Sequence, residues 1–160
     1  MTRHALIITM VALVLAAPAQ SADHAVPYPD GYRDWHHVKS MVINEGHALY
    51  ASFGGIHHIY ANDKALKGYA AGKFPDGSVI AFDLLEAVAG GNAVTEGARK
   101  VLGVMVKDSR RYAATGGWGF EGFAGGDPAK RAVADKAASA CFECHAAQEV
   151  TDFVFSTTRP

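Results

Sequence analysis

The sequence predicts an α+β domain: an antiparallel β-sheet with one crossing helix and a C-terminal helix. Three observations predict it. Short apolar runs recur between turn signals built from Gly, Pro, Asn and Asp. One stretch between two of these runs, Asn62 to Gly72, has the cap residues and spacing of a helix. An alanine-rich stretch near the C-terminus supplies the second helix. Connections this short join antiparallel neighbours, because parallel strands need longer crossovers.

Residues 1–19 read as a signal peptide. Arg3 gives a positive start, Ala5 to Ala17 is an apolar run, and Ala17-Pro18-Ala19 fits a small-residue cleavage site. The run is too short for a membrane span, and no later stretch is long and apolar enough to be one. The alternative is an uncleaved N-terminal anchor. Cleavage near Ala19 would leave residues 20–160 as a single exported domain, expected in the periplasm.

From Asp23 to Asp34, Pro27, Pro29 and Gly31 mark an extended entry and a turn. Trp35 to Ile43 reads as the first strand. His47 to Tyr60 reads as two extended pieces joined by a bend at Gly54-Gly55. The helix begins at the Asn62-Asp63 cap and ends at Gly72. Pro75-Asp76-Gly77-Ser78 is a turn by its residue chemistry. Val79 to Val88 follows as a strand covered on both faces, then a Gly90-Gly91-Asn92 loop, then a strand from Arg99 to Val106. Asp108 to Tyr112 reads as a short helical turn, and Trp118 to Phe123 as the last strand. Asp127-Pro128 predicts a cap with proline at the first helical position, opening a helix through Ala129 to Ala140.

The charge is balanced, with 15 basic and 16 acidic residues, a formal net charge of −1. That balance offers no basic field for nucleic acid and no cationic face for a membrane surface. The eight histidines are scattered and form no H-E-x-x-H motif. His57 and His58 alternate along a strand and so are not a bidentate pair. They and most of the others read as surface or strand-edge residues.

One motif stands apart. Cys141-Phe142-Glu143-Cys144-His145 has the pattern C-x-x-C-H, and these are the two cysteines of the chain. The spacing suits covalent attachment of one haem c. Each thiol, on one side of a helical turn, can form a thioether to one vinyl group, and His145 follows as the proximal iron ligand. Two other chemistries use the same residues. A thiol–disulfide site would leave the histidine without a task and expects a βαβ context. A zinc site would need a fourth ligand.

The chain also resembles the cytochrome P-460 family, which includes the cytochromes c′-beta. The resemblance runs from about Tyr28 to Phe155 and rests on motifs in a fixed order. These are Tyr32-Arg33-Asp34-Trp35, Ile59-Tyr60-Ala61, Phe74-Pro75-Asp76-Gly77-Ser78-Val79, Val106-Lys107-Asp108-Ser109-Arg110-Arg111-Tyr112, Trp118, and the haem motif followed by Asp152-Phe153-Val154-Phe155. It implies a sheet-rich fold, a homodimer, and five-coordinate haem with an open distal face. Hydroxylamine-oxidising members of the family cross-link a lysine to the porphyrin and place a carboxylate near the distal site. The matching positions here are Phe82 and Gly103. The resemblance is therefore closer to the cytochrome c′-beta branch, with Phe82 crowding the vacant iron position; the plain alternative for Phe82 is a core residue of its strand. Lys64, Lys67 and Lys73 precede the turn and read as solvated.

The expected function is a mono-haem protein that binds nitric oxide or another small diatomic gas as carrier, scavenger or sensor. The site residues are Cys141, Cys144, His145 and Phe82, with His145 on the iron. The alternatives are a hydroxylamine or nitric oxide oxidoreductase, for which a phenylalanine and a glycine offer no proton-handling group, and an electron-transfer cytochrome with a sixth ligand such as Met41 or Met105. A periplasmic electron carrier is a further expected partner. Arg99, Lys107, Arg110 and Arg111 are candidates for the haem propionates, against a reading as solvated surface residues.

Overall fold

The computed structural model describes residues 25–159; the expected signal peptide, with His4 and His24, lies outside the described residues. Five strands form one sheet in chain order, every neighbour antiparallel: β1 (His36–Ile43), β2 (Gly55–Ala61), β3 (Val79–Gly90), β4 (Ala93–Lys107) and β5 (Trp118–Ala124). A helical turn, α1 (Tyr50–Phe53), precedes β2, and a longer helix, α2 (Asp63–Ala71), follows it. The C-terminal helical run is built in three registers: a π segment Ala138–Phe142, an α turn Glu143–His145, and a 3-10 segment Ala146–Thr151. The expected α+β architecture is the one the chain adopts.

The crossing helix follows its sequence signals. The Asn62 Oδ1 accepts the Ala65 N–H at 2.9 Å, and Gly72 closes the helix in the left-handed conformation. Asn62 also bonds the backbone of Gly77 and Val79, tying the helix start to the turn before β3. The segment before β2 departs from the expected extended form: Tyr50–Phe53 is helical, with Gly54-Gly55 between it and the strand.

The β3–β4 hairpin is longer than its apolar pattern indicates. Strand β4 begins at Ala93 rather than Arg99, and Gly91-Asn92 form its two-residue turn, both at positive φ. Beyond Leu85 the arm is exposed, so Glu86 to Gly90 are not covered on both faces as expected.

The predicted helix over 129–140 is also corrected. Asp127 does cap a turn by accepting the Ala129 N–H, but the chain then returns to the sheet through an Arg131–Phe123 bridge. Glu121 is the cause. Its buried carboxylate accepts the amides of Gly122, Val133 and Ala134 and the guanidinium of Arg131, at 2.9 to 3.2 Å. Burial pushes this carboxyl up, but those four donors outweigh it and hold it below its ordinary value. The Val133 and Ala134 amides that bond this carboxylate cannot also bond the carbonyls four residues back, as a helix over 129–140 requires, so the chain turns helical only from a 3-10 segment at Ala134–Lys136 onward.

Each sheet face carries a core. On one, Tyr32, Ala81, Leu102, Val104, Tyr112 and Phe123 pack together. Buried Asp83 lies among them, bonded by the Tyr32 hydroxyl at 2.7 Å and by Arg33 and Arg99. On the other face, Val38, Ile59, Ile80, Trp118 and Phe120 receive α2, the tail residue Val154 and the helical run.

Candidate functional site

The haem motif sits on the helical run where it meets that second face. Cys141 is half-buried against the cluster around Ile59, Ile80 and Phe120, while Cys144 is exposed. Positions three and four apart share one side of a helix, which puts both thiols and His145 toward the same region. The imidazole of His145 lies 4.9 Å from the rings of Phe120 and Phe155. Phe142 packs against Phe153 at 5.3 Å, so the tail folds back over the motif.

The tautomer of His145 follows from its partner. Its Nδ1 is 2.7 Å from the Phe153 carbonyl oxygen, which only accepts, so Nδ1 carries the proton and Nε2 keeps its lone pair. Burial pushes the imidazole below its ordinary pKa, partly offset by this bond, and keeps it neutral at pH 7. A neutral imidazole with an open Nε2 is the form that binds iron. With two free thiols on the same side, the donor set fits a covalently attached haem.

The carbonyl of Phe153 is placed by a helix stop. The Phe153 N–H reaches Gln148 O at 2.7 Å and the Asp152 N–H reaches Glu149 O at 3.0 Å, the 6→1 and 5→2 bonds of a Schellman motif. Asp152 and Phe153 both have positive φ, 53° and 66°, in the first of which glycine is the usual occupant. Three elements hold the strained pair. The Asp152 carboxylate accepts from Lys107 Nζ at 2.7 Å and from the Phe74 N–H at 2.8 Å, and its carbonyl accepts from Trp118 Nε1 at 2.8 Å. Lys107 also lies over the Trp118 ring and donates to Gly116 O.

The resemblance motifs therefore meet physically. Phe74, Lys107, Trp118 and Asp152 form one network, and Asp76 of the turn accepts the Ser109 N–H and hydroxyl, both at 2.8 Å. Lys107 is buried in this network rather than solvated as the sequence suggests. Arg99 serves Asp83 on the opposite face; Arg110 and Arg111 are exposed in the loop after β4. Lys64, Lys67 and Lys73 are exposed, as expected.

Phe82 packs against the same cluster as Cys141, on the sheet face that receives the helical run. It is partly buried and stands directly opposite Gly103 in the β3–β4 ladder. Its ring is 4.6 Å from His57 and 5.8 Å from Phe53. His57 is the residue the sequence misplaced: it is 6 % exposed, with an Nδ1 that has no partner among the described residues, and burial lowers its pKa to about 4. Its alternation with His58 held no signal of this, because period two says only that the pair point to opposite faces, not that Phe82 and Phe53 pack on the face of His57. His58 lies on the other face, bonded to Ser40 and Glu96. Met105 is packed in the core and Met41 is exposed.

The other chemistries of the motif fit less well. Among the described residues no three His, Cys, Asp or Glu side chains are grouped to hold a metal ion, as zinc would need. Burial pushes the Cys141 thiol up, aided by Glu121 and Cys144, whereas thiol–disulfide catalysts depend on a lowered thiol. The all-antiparallel sheet has no βαβ unit. No helix among the described residues is long and apolar enough to cross a membrane.

Comparison with known proteins identifies a family. The family model described as Cytochrome P460 matches residues 29–156, which spans every strand and the haem motif. No curated protein matches the chain.

Proposed function

The chain belongs to the cytochrome P460 family, a family of c-type haem proteins, and from that premise we propose that it binds nitric oxide or a similar diatomic gas at a single haem c. The haem would be held by thioethers to Cys141 and Cys144, with Nε2 of His145 on its iron. When bound, it would supply an iron able to take up a small ligand. The protein's own residues do the rest. The Phe153 carbonyl fixes the imidazole tautomer, Phe120 and Phe155 flank the ring, and the hairpin strands supply an apolar wall.

One observation carries the choice between gas binding and hydroxylamine oxidation. Phe82 and Gly103 occupy the positions expected of the cross-linking lysine and the distal carboxylate, and they pair directly across the ladder. A benzyl ring over a glycine moves no proton, and hydroxylamine oxidation must remove several. Uncharged diatomic ligands need none. This favours the cytochrome c′-beta branch, working as carrier, scavenger or sensor in the periplasm, as a homodimer.

The test is an absorption spectrum of the reduced, matured protein before and after nitric oxide, beside an alkaline pyridine haemochrome. A high-spin ferrous spectrum that nitric oxide converts, with an ordinary c-type haemochrome, is the expected result. A far-red ferrous band that resists conversion to that haemochrome would reveal a cross-linked porphyrin and put the hydroxylamine enzyme first.

A further inference from the structure

We propose that the Lys107–Asp152 ion pair is the positioning device for the proximal ligand: it holds the Phe153 carbonyl against Nδ1 of His145 and so sets how strongly Nε2 donates to iron. The inference rests on the haem reading above and deepens it.

The argument begins with an unusual residue choice. The Schellman stop places Asp152 at the position where glycine adopts positive φ freely. An aspartate there is strained, and the following Phe153 repeats the strain at φ 66°. The side chain explains the choice. Its two oxygens take one bond each from Lys107 and the Phe74 amide, while the Trp118 indole takes its carbonyl. The donors come from the last residue of β4, from the segment before the Pro75 turn, and from the first residue of β5. None of these groups bonds His145. They act on it through the one residue that follows Asp152, Phe153, whose carbonyl faces Nδ1.

Energetics point the same way. The Lys107 and Asp152 side chains are 7 % and 10 % exposed, and a pair so buried contributes little stability over an apolar replacement of equal volume. Its better-supported use is to fix one geometry. Here that geometry is the 2.7 Å contact between the Phe153 carbonyl and His145 Nδ1. A strong acceptor at Nδ1–H raises the basicity of the imidazole toward a metal, so the ion pair reaches the iron through one carbonyl.

The experiment compares the haem-loaded wild type with D152G, K107M and the double variant. D152G is chosen because glycine suits the backbone at that position, so the helix stop survives while the carboxylate is lost. Three quantities are read: the iron–histidine stretching band of the ferrous protein by resonance Raman, the midpoint potential, and the melting temperature. Both single variants should lower the stretching frequency and raise the potential, and the double variant should go no further than either, since the two act as one unit. A purely structural pair would lower the melting temperature and leave band and potential unmoved, which overturns the proposal. D152G guards against a variant that fails to fold. A wild type without covalent haem by mass spectrometry would instead remove the underlying reading, and the two failures are thereby distinguished.

Discussion

Phe82 and Gly103 face each other across the β3–β4 ladder, and a Cβ added to Gly103 would sit 3.5 Å from the Phe82 side chain, an ordinary contact. The glycine is thus not demanded by crowding. It leaves the phenylalanine ring as the group that defines this part of the wall, with His57 tilted against it and Phe53 meeting it edge-on.

Phe82→Ala removes a partly buried ring. Stability should fall by about 2 kcal/mol, below the cost of a fully buried phenylalanine. Carbon monoxide association, measured by flash photolysis, should quicken roughly fivefold if one aromatic contact of about 1 kcal/mol no longer has to be broken for entry. An unchanged rate would place Phe82 away from the entry route.

His57 makes the fold sensitive to acid. Burial depresses its pKa to about 4 in the folded chain, while the unfolded chain takes up the proton near 6.5. Between these values the unfolded state binds more protons, so stability falls as pH drops from 6.5 toward 4. The full effect approaches about 3 kcal/mol. Urea unfolding at pH 7 and pH 4.5 should show this difference in the wild type, and His57→Leu should shrink it.

Glu121→Gln should cost about 2–4 kcal/mol, because it leaves Arg131 and three amides facing a group that accepts poorly and donates where it should accept. The sign with pH follows from the lowered carboxyl: its contribution is present above the unfolded carboxyl pKa and is lost as pH falls through the folded one. Urea midpoints across pH 3 to 6 check both the size and the sign.

Gly116→Ala tests the seat of the tail. The added methyl would lie 2.3 Å from the Phe153 ring, at a backbone φ of +63°. Overpacking and positive φ together should cost about 2–4 kcal/mol. Thermal unfolding of the haem-loaded protein should show it, with the attached mass unchanged.

The sequence makes some of these elements readable and hides others for physical reasons. Asn62 and Gly72 state a local bargain, a cap and a stop, and the helix obeys it. The strand runs around Val79 and Val101 are apolar because the sheet buries them, and they too are legible. Ala129 to Ala140 is different. Its local preference is helical, but one buried carboxylate on β5 claims its amides, and nothing in the local pattern shows that Glu121 turns inward to meet them. Lys107 misleads in the same way, since a lysine beside Asp108 and Ser109 reads as solvated until Asp152 is brought to it from 45 residues away. Cys141, Cys144 and His145 stand out in the sequence because the covalent attachment proposed for them demands fixed spacing. The clamp behind His145 does not, because it is assembled from four separated segments.

The strand order carries a consequence for the sequence of events in folding. Each strand pairs with its neighbour along the chain, so the sheet can close hairpin by hairpin at little entropic cost. The segment bearing both thiols follows the last strand and is mostly exposed, resting on the finished sheet rather than contributing to it. The platform, with the Asp152–Val154 stop already seated on it, can therefore be complete while the thiols are still presentable, and haem loading is expected to add order in residues 138–149. Hydrogen exchange should see that order arrive in those residues alone, over a sheet already protected.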